Sequence, residues 1–150
     1  MGTEQDEITI VSRAASELTP AELYALLRLR VDVFVVEQEC PYPELDGRDL
    51  DADTRHVWAT SSDGRIVGCL RVLREDDGVL RIGRVCTADF ARGTGLGGRL
   101  MRTAMELVGD SECVLDAQTY ATGFYAKFGF EPEGEVFLED GIPHITMRRR

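Results

Sequence analysis

A mixed α/β domain built in layers is predicted by three observations. Short β-branched apolar runs alternate with stretches of helical periodicity, turn residues punctuate the joins, and 150 residues suit one domain with its own core. Hydrophobic residues make up 43% and charged residues 29%, the proportions of an ordinary globular chain rather than a disordered one. A chain of this length buries roughly 68–70% of its unfolded surface, so no disulfide or metal is needed to hold it.

Residues 1–6 read as a frayed tail and 7–150 as a single domain. Ile8–Val11 is a first strand. Thr19-Pro20-Ala21-Glu22 then starts a helix, with Thr as N-cap, Pro at the first helical position and Glu three residues after the cap. Leu23, Leu26, Leu27, Val31 and Phe34 continue it at helical spacing to about Phe34. An irregular stretch from Glu37 to Asp53 follows, with two prolines and seven acids. Strands are expected at His56–Thr60 and Ile66–Leu73 around the turn Ser62-Asp63-Gly64, and at Leu80–Thr87 after Glu75-Asp76-Asp77-Gly78. A helix from about Gly95 to Val108 presents Leu96, Leu100, Ala104, Leu107 and Val108 on one face, and Gly109-Asp110 stops it. Cys113–Leu115 is a short buried strand. Thr122–Phe128 is a last helix closed by Gly129, and strands at Glu135–Leu138 and Ile145–Arg148 end the domain.

Charge narrows the function. With 17 basic and 27 acidic residues the net charge is −10, which argues against a nucleic-acid binder and fits a small-molecule enzyme or a cationic partner. The total is uneven. Between Arg81 and Arg102 five arginines stand with one acid, Asp89, a setting for a polyanion. The acids gather from Glu37 to Asp53, where an amine would be welcome. The polar, acidic N-terminus is unlike a signal peptide and no long apolar run exists, so a cytoplasmic protein without membrane contact is expected. Cys40, Cys69, Cys86 and Cys113 form no C-x-x-C pair and read as reduced, buried thiols; His56 and His144 match no zinc spacing. Asp49-Leu50-Asp51-Ala52-Asp53 is no EF-hand, because Thr54 and Thr60 stand where glycine and glutamate are required. A solvated acidic loop and no metal are expected there.

The sharpest motif is Arg92-Gly93-Thr94-Gly95-Leu96-Gly97-Gly98, between a strand and a helix. Glycines allow close backbone approach, and the helix start offers unpaired N–H groups and a positive dipole end, so the loop suits a phosphate. Gly93, Gly95 and Gly98 also satisfy G-x-G-x-x-G, with Asp116 about 20 residues on as a ribose ligand. Against a dinucleotide stand the gap between Thr87 and Gly93 and the short chain that remains. A Walker A loop is excluded, since no Lys-Ser/Thr follows the last glycine.

Read as Arg92-x-x-Gly95-x-Gly97, the same loop resembles the acetyl-CoA pyrophosphate signature of the GNAT N-acetyltransferases. Gly123-Phe124-Tyr125-Ala126-Lys127-Phe128-Gly129-Phe130 is similar to a second block of that superfamily. Within it the chain resembles the ElaA-like branch, through Val33-Phe34-Val35-Val36-Glu37-Gln38, Cys40-Pro41-Tyr42 and Glu139-Asp140-Gly141-Ile142-Pro143-His144. The likeness runs from about Leu18 to Met147. It implies a twisted mixed sheet of about six or seven strands with helices on both faces. It also implies a splay between the fourth and fifth strands, and acetyl-CoA in the gap.

By that resemblance, Val85, Cys86 and Thr87 hold the pantetheine and polarise the carbonyl. Residues 92–98, with Phe124 and Lys127, complete the acetyl-CoA site. Tyr125 protonates the departing sulfur. Glu37 is the first candidate for the base, with His56, His144 and Asp140 as others; Gln38, Arg84, Asp140, His56 and His144 are expected on the acceptor side. The acceptor is expected to be a primary amine of a small molecule or peptide, attacking the thioester directly. An acyl-Cys86 route and a non-catalytic acyl-CoA sensor are the alternatives. A homodimer is a superfamily tendency only.

Overall fold

The computed structural model describes residues 7–150, so the expected tail at 1–6 lies outside the described residues. Seven strands form one sheet: β1 (Thr9–Ala14), β2 (Arg55–Thr60), β3 (Ile66–Arg74), β4 (Leu80–Thr87), β5 (Cys113–Gln118), β6 (Glu131–Glu139) and β7 (Ile142–Arg149). Their spatial order is β1-β2-β3-β4-β5-β7-β6, antiparallel throughout except for β4 and β5. The helices are α1 (Pro20–Arg30), α2 (Leu96–Val108) and α3 (Thr122–Ala126).

Both faces are covered. On one, α2 inserts Leu96, Leu100, Met101, Ala104 and Val108 among Val57, Leu70, Val72 and Ile82 of the sheet. On the other, Leu26 and Leu29 of α1, with Val33, pack on Trp58, Cys69 and Cys86. Strand alternation produces this division: on β3, Leu70 and Val72 face α2 while Cys69 faces α1. Gly68 lies where α2 presses closest, and a Cβ there would come within 3.1 Å of Leu100 and 3.2 Å of Leu96.

α1 opens on the expected capping box. Thr19 Oγ1 accepts from the Glu22 amide at 3.1 Å, and Glu22 Oε1 accepts from the Thr19 amide at 2.9 Å. Its far end differs from expectation. The α-helix stops at Arg30, and Val31–Glu37 continues as a wider π-helical turn. Val31, Val33, Val35 and Val36 crowd this segment, and β-branched side chains at i and i+4 fit a straight α-helix poorly. The turn delivers Glu37 and Gln38 to the sheet opening.

That opening lies between β4 and β5. They pair only through Leu80↔Cys113 and Arg81↔Val114; beyond these, β4 runs on to Thr87 and β5 to Gln118 without pairing. A second irregularity lies on β4 itself. Cys69 pairs with Cys86 and Arg71 with Gly83, so Leu70 alone opposes both Arg84 and Val85. This β-bulge puts Arg84 at φ 54°, in the left-handed region.

Candidate active site

The divergence of β4 and β5 opens a cleft of about 640 Å³. Arg84, Val85, Cys86 and Thr87 of β4 form its floor, and Phe124 and Tyr125 of α3 stand on one wall. Glu37 and Gln38 enter from the π-helical turn, Arg92 and Gly97 from the glycine loop, and Asp140 and His144 from the β6–β7 hairpin. Most of the residues expected from sequence therefore meet in one place. Lys127 lies off the wall and is exposed, as are Gly93, Thr94 and Gly95 at the rim.

The glycine loop meets the needs of an anion. Gly93 and Gly95 adopt φ 77° and 79°, a conformation that side chains bearing a Cβ resist. Gly95 is the N-cap of α2 and provides no side-chain cap; the first bond of the helix is from the Arg99 amide to the Gly95 carbonyl, 3.2 Å. The N–H groups of Leu96, Gly97 and Gly98 thus have no intrahelical partner. The Leu96 side chain turns into the core. Gly97 lets Phe124 approach, since a Cβ there would already touch the ring at 3.5 Å.

The arginines are distributed differently from expectation. Arg81 is held by Glu75 at 2.7 Å and by Asp116 at 2.9 Å, and Arg84 by Glu44, all away from the loop. Arg99 donates to the Ile8 carbonyl. Only Arg92 and Arg102 remain for an anion at the loop. Arg92 donates to the Thr87 carbonyl at 3.0 Å and pairs with Glu37 at 2.7 Å. Glu37 raises the pKa of Arg92.

Tyr125 lies with its ring edge-on to Phe124, centroids 5.0 Å apart. Burial, with smaller contributions from Tyr120 and Cys86, pushes its pKa up to about 12, so the phenol stays protonated at neutral pH. In that form it can donate a proton and cannot accept one as a base. Cys86 is held inert by its own neighbourhood. Its Sγ lies 3.7 Å from Cys69 Sγ, and that contact and burial push the thiol well above its ordinary range. A thiolate nucleophile is disfavoured here.

The acidic loop is the largest departure from expectation. Asp49, expected to be solvated, is buried, and so is Glu44. Arg30 lies between them, its Nε on Glu44 Oε2 at 2.6 Å and its Nη1 on Asp49 Oδ1 at 2.6 Å. Arg71 reaches Asp46 at 2.6 Å and Asp49 at 3.0 Å, Arg84 joins Glu44 at 2.9 Å, and the Tyr42 hydroxyl donates to Glu44. Glu44, Asp46 and Asp49 are therefore neutralised by guanidiniums of α1, β3 and β4 rather than left free for an amine. Asp51 and Asp53 are exposed, as expected of a solvated loop. His56 belongs to this cluster and not to the cleft wall: it is 2% exposed, and its Nε2 bonds the Asp49 carbonyl at 2.9 Å. It does not line the cleft. His144 does line the cleft, its Nδ1 bonded to the Ile142 carbonyl at 2.7 Å and its Nε2 3.7 Å from Glu139.

Sequence reading missed the Arg30 cluster because its members are scattered along the chain. It also missed Gly83, where a Cβ would meet nothing within 4 Å. A glycine inside a strand, next to a bulge, is the signal that marks it.

Comparison with known proteins agrees with this architecture. A family model described as an acetyltransferase (GNAT) domain matches residues 28–150. UPF0039 protein Rv2851c of Mycobacterium tuberculosis is 54% identical over 138 residues, covering 90% of this chain and 88% of that protein. Protein ElaA of Escherichia coli is 45% identical over 140 residues, covering 89% and 91%. The crystal structure of an acyl-CoA N-acyltransferase from Pseudomonas aeruginosa superimposes with a TM-score of 0.91 at 44% identity, covering 96% of this chain and all of that one. Crystalline Escherichia coli ElaA gives 0.90 at 42%, covering 95% and 99%. The splayed sheet, the left-handed glycine loop and these relatives together place the chain in the GNAT acetyltransferase family.

Proposed function

We propose that this protein is an N-acetyltransferase that moves the acetyl group of acetyl-CoA to a primary amine by direct attack on the thioester. One observation carries the reading: a protonated, cleft-facing phenol and a helix start with free N–H groups open onto the same splayed gap. Acetyl-CoA, when bound, supplies an activated acetyl thioester. The amides of Leu96, Gly97 and Gly98, with Arg92, would hold its pyrophosphate. The β4 backbone at Val85–Thr87 would hold the pantetheine arm and orient the carbonyl. Phe124 flanks this site, with Lys127 outside the cleft wall. Tyr125 donates a proton to the sulfur as the C–S bond breaks and the C–N bond forms. Glu37 is the first candidate to take the proton that the amine gives up, with Gln38 beside it; Asp140 and His144 stand nearest the acceptor entrance.

The raised Cys86 thiol supports direct transfer over an acyl-cysteine route. Two measurements test the whole. Acetyl-CoA and CoA should each raise the melting temperature, while NAD should not. Purified protein with acetyl-CoA should release free CoA thiol on addition of an amine. Stabilisation by NAD alone would overturn the reading; acetyl-CoA binding without thiol release from any amine would leave a sensor instead of an enzyme.

A further inference from the structure

We infer that the acceptor is an amine that also carries a carboxylate, seated over Gly83 with that carboxylate on Arg84. The inference rests on the acetyl-transfer reading and specifies its substrate class. Its first support is charge balance. As many arginines as acids line the cleft, so with acetyl-CoA held at the glycine loop the remaining charges suit a zwitterionic acceptor rather than a polycation.

Most of these charges are matched in place: Arg92 by Glu37, Arg71 by Asp46, Arg81 by Asp116. Arg84 has capacity to spare. Its Nε donates to Glu44 Oε2 at 2.9 Å, and its Nη2 donates to the Glu44 carbonyl at 3.2 Å and lies 3.6 Å from Asp46 Oδ2; Nη1 has no partner among the described residues. Glu44 itself is shared with Arg30 and Tyr42. The Arg84 guanidinium is thus fixed through Nε and Nη2, lies 5.7 Å from the Tyr42 ring centre, and keeps Nη1 for a ligand.

The second support is backbone geometry. Arg84 is a non-glycine residue at φ 54° in the β4 bulge, and such strain gathers at functional sites. Next to it, Gly83 leaves the floor open, with nothing within 4 Å of the place a Cβ would take. A small acceptor fits over that gap. Strands rise about 3.3 Å per residue, so Arg84 lies within about 7 Å of Cys86, beside the expected thioester. That separation suits an amino acid whose amine and carboxylate are a few bonds apart, and not a long peptide.

The test is thiol release from acetyl-CoA with matched amines: L-leucine, L-leucinamide and isoamylamine, then 4-aminobutyrate, 4-aminobutyramide and n-butylamine. The carboxylate-bearing member of a set should show at least tenfold higher kcat/KM than its uncharged or cationic analogues. Arg84→Met should erase that preference and Arg84→Lys keep part of it. Gly83→Val should raise the KM of the acceptor while leaving the KM of acetyl-CoA in place, which covers the case in which loss of Arg84 unsettles the fold. A panel in which the amides or alkylamines do as well as the amino acids overturns the carboxylate assignment while acetyl transfer stands. An Arg84→Met variant that keeps the preference overturns it too. Release from no amine at all fells the acetyl-transfer reading and this assignment together.

Discussion

The surroundings of Tyr125 strengthen its hold on the phenolic proton. Held in α3 against Phe124, it is pushed up to about 12, so a phenol that would already hold its proton at neutral pH holds it more firmly. Removing the hydroxyl removes the donor and leaves the packing ring. Tyr125→Phe should therefore lower kcat by about a hundredfold, within the usual range for a general acid, with acetyl-CoA affinity nearly unchanged. Steady-state kinetics beside a binding titration checks this, and an unchanged kcat would take Tyr125 out of the mechanism. Glu37 is less isolated, being paired with Arg92. A Glu37→Gln enzyme should lose about a hundredfold in kcat if Glu37 is the base; a kcat matching the wild type would assign that duty elsewhere. Tyr125 was legible because it stands inside a contiguous motif. Arg30 was not, since its partners Glu44 and Asp49 are 14 and 19 residues away and look, in sequence, like part of a solvated acidic run.

Among the elements, β4 matters most, because two irregularities in eight residues shape the cleft. Its ends, Leu80 and Thr87, were readable from flanking turn residues and β-branched content. Neither the bulge nor the separation from β5 has a sequence pattern; both depend on how distant strands pair. The overlong helix at α1 has a similar cause, since periodicity of apolar residues does not distinguish an α-helix from a π-helical turn that keeps a similar buried stripe. The glycine loop, by contrast, is written locally. Gly95 must be left-handed at the N-cap of α2, at a cost of about 1–2 kcal/mol for any residue with a Cβ. Gly95→Ala should thus lower stability by about 1 kcal/mol in urea unfolding and weaken acetyl-CoA binding by more than that loss implies. Equal binding by wild type and variant would show that the loop does not present its amides to the pyrophosphate.

Across the whole molecule, the net charge of −10 conceals an internal cluster that seals the Glu37–Asp53 loop to the sheet. Arg30 is 1% exposed between two carboxylates. Replacing it strands Glu44 and Asp49 in the interior, so Arg30→Met should cost about 3–5 kcal/mol, the range for breaking one side of a buried pair. The cluster also sets how stability follows pH. Burial holds His56 below its ordinary 6.5, despite its bond to the Asp49 carbonyl. Below pH 6.5 the unfolded chain takes up a proton that the folded chain refuses, so stability falls as pH falls, by at most about 1.4 kcal/mol per pH unit from this group. A second loss follows below pH 3.8. There the carboxyl of Asp46 is held low chiefly by its bonds from Arg71; that of Asp49, which burial alone would raise, is held low by Arg30 and Arg71. Protonation of either carboxyl in acid removes its pairing with the guanidiniums. Urea unfolding between pH 7.5 and 5 should show the first loss in the wild type, and a His56→Gln variant, whose amide can still donate to the Asp49 carbonyl, should show much less of it. If the variant keeps the full slope, His56 is not the group whose charging loosens the loop, and the acid sensitivity of the fold lies outside this cluster.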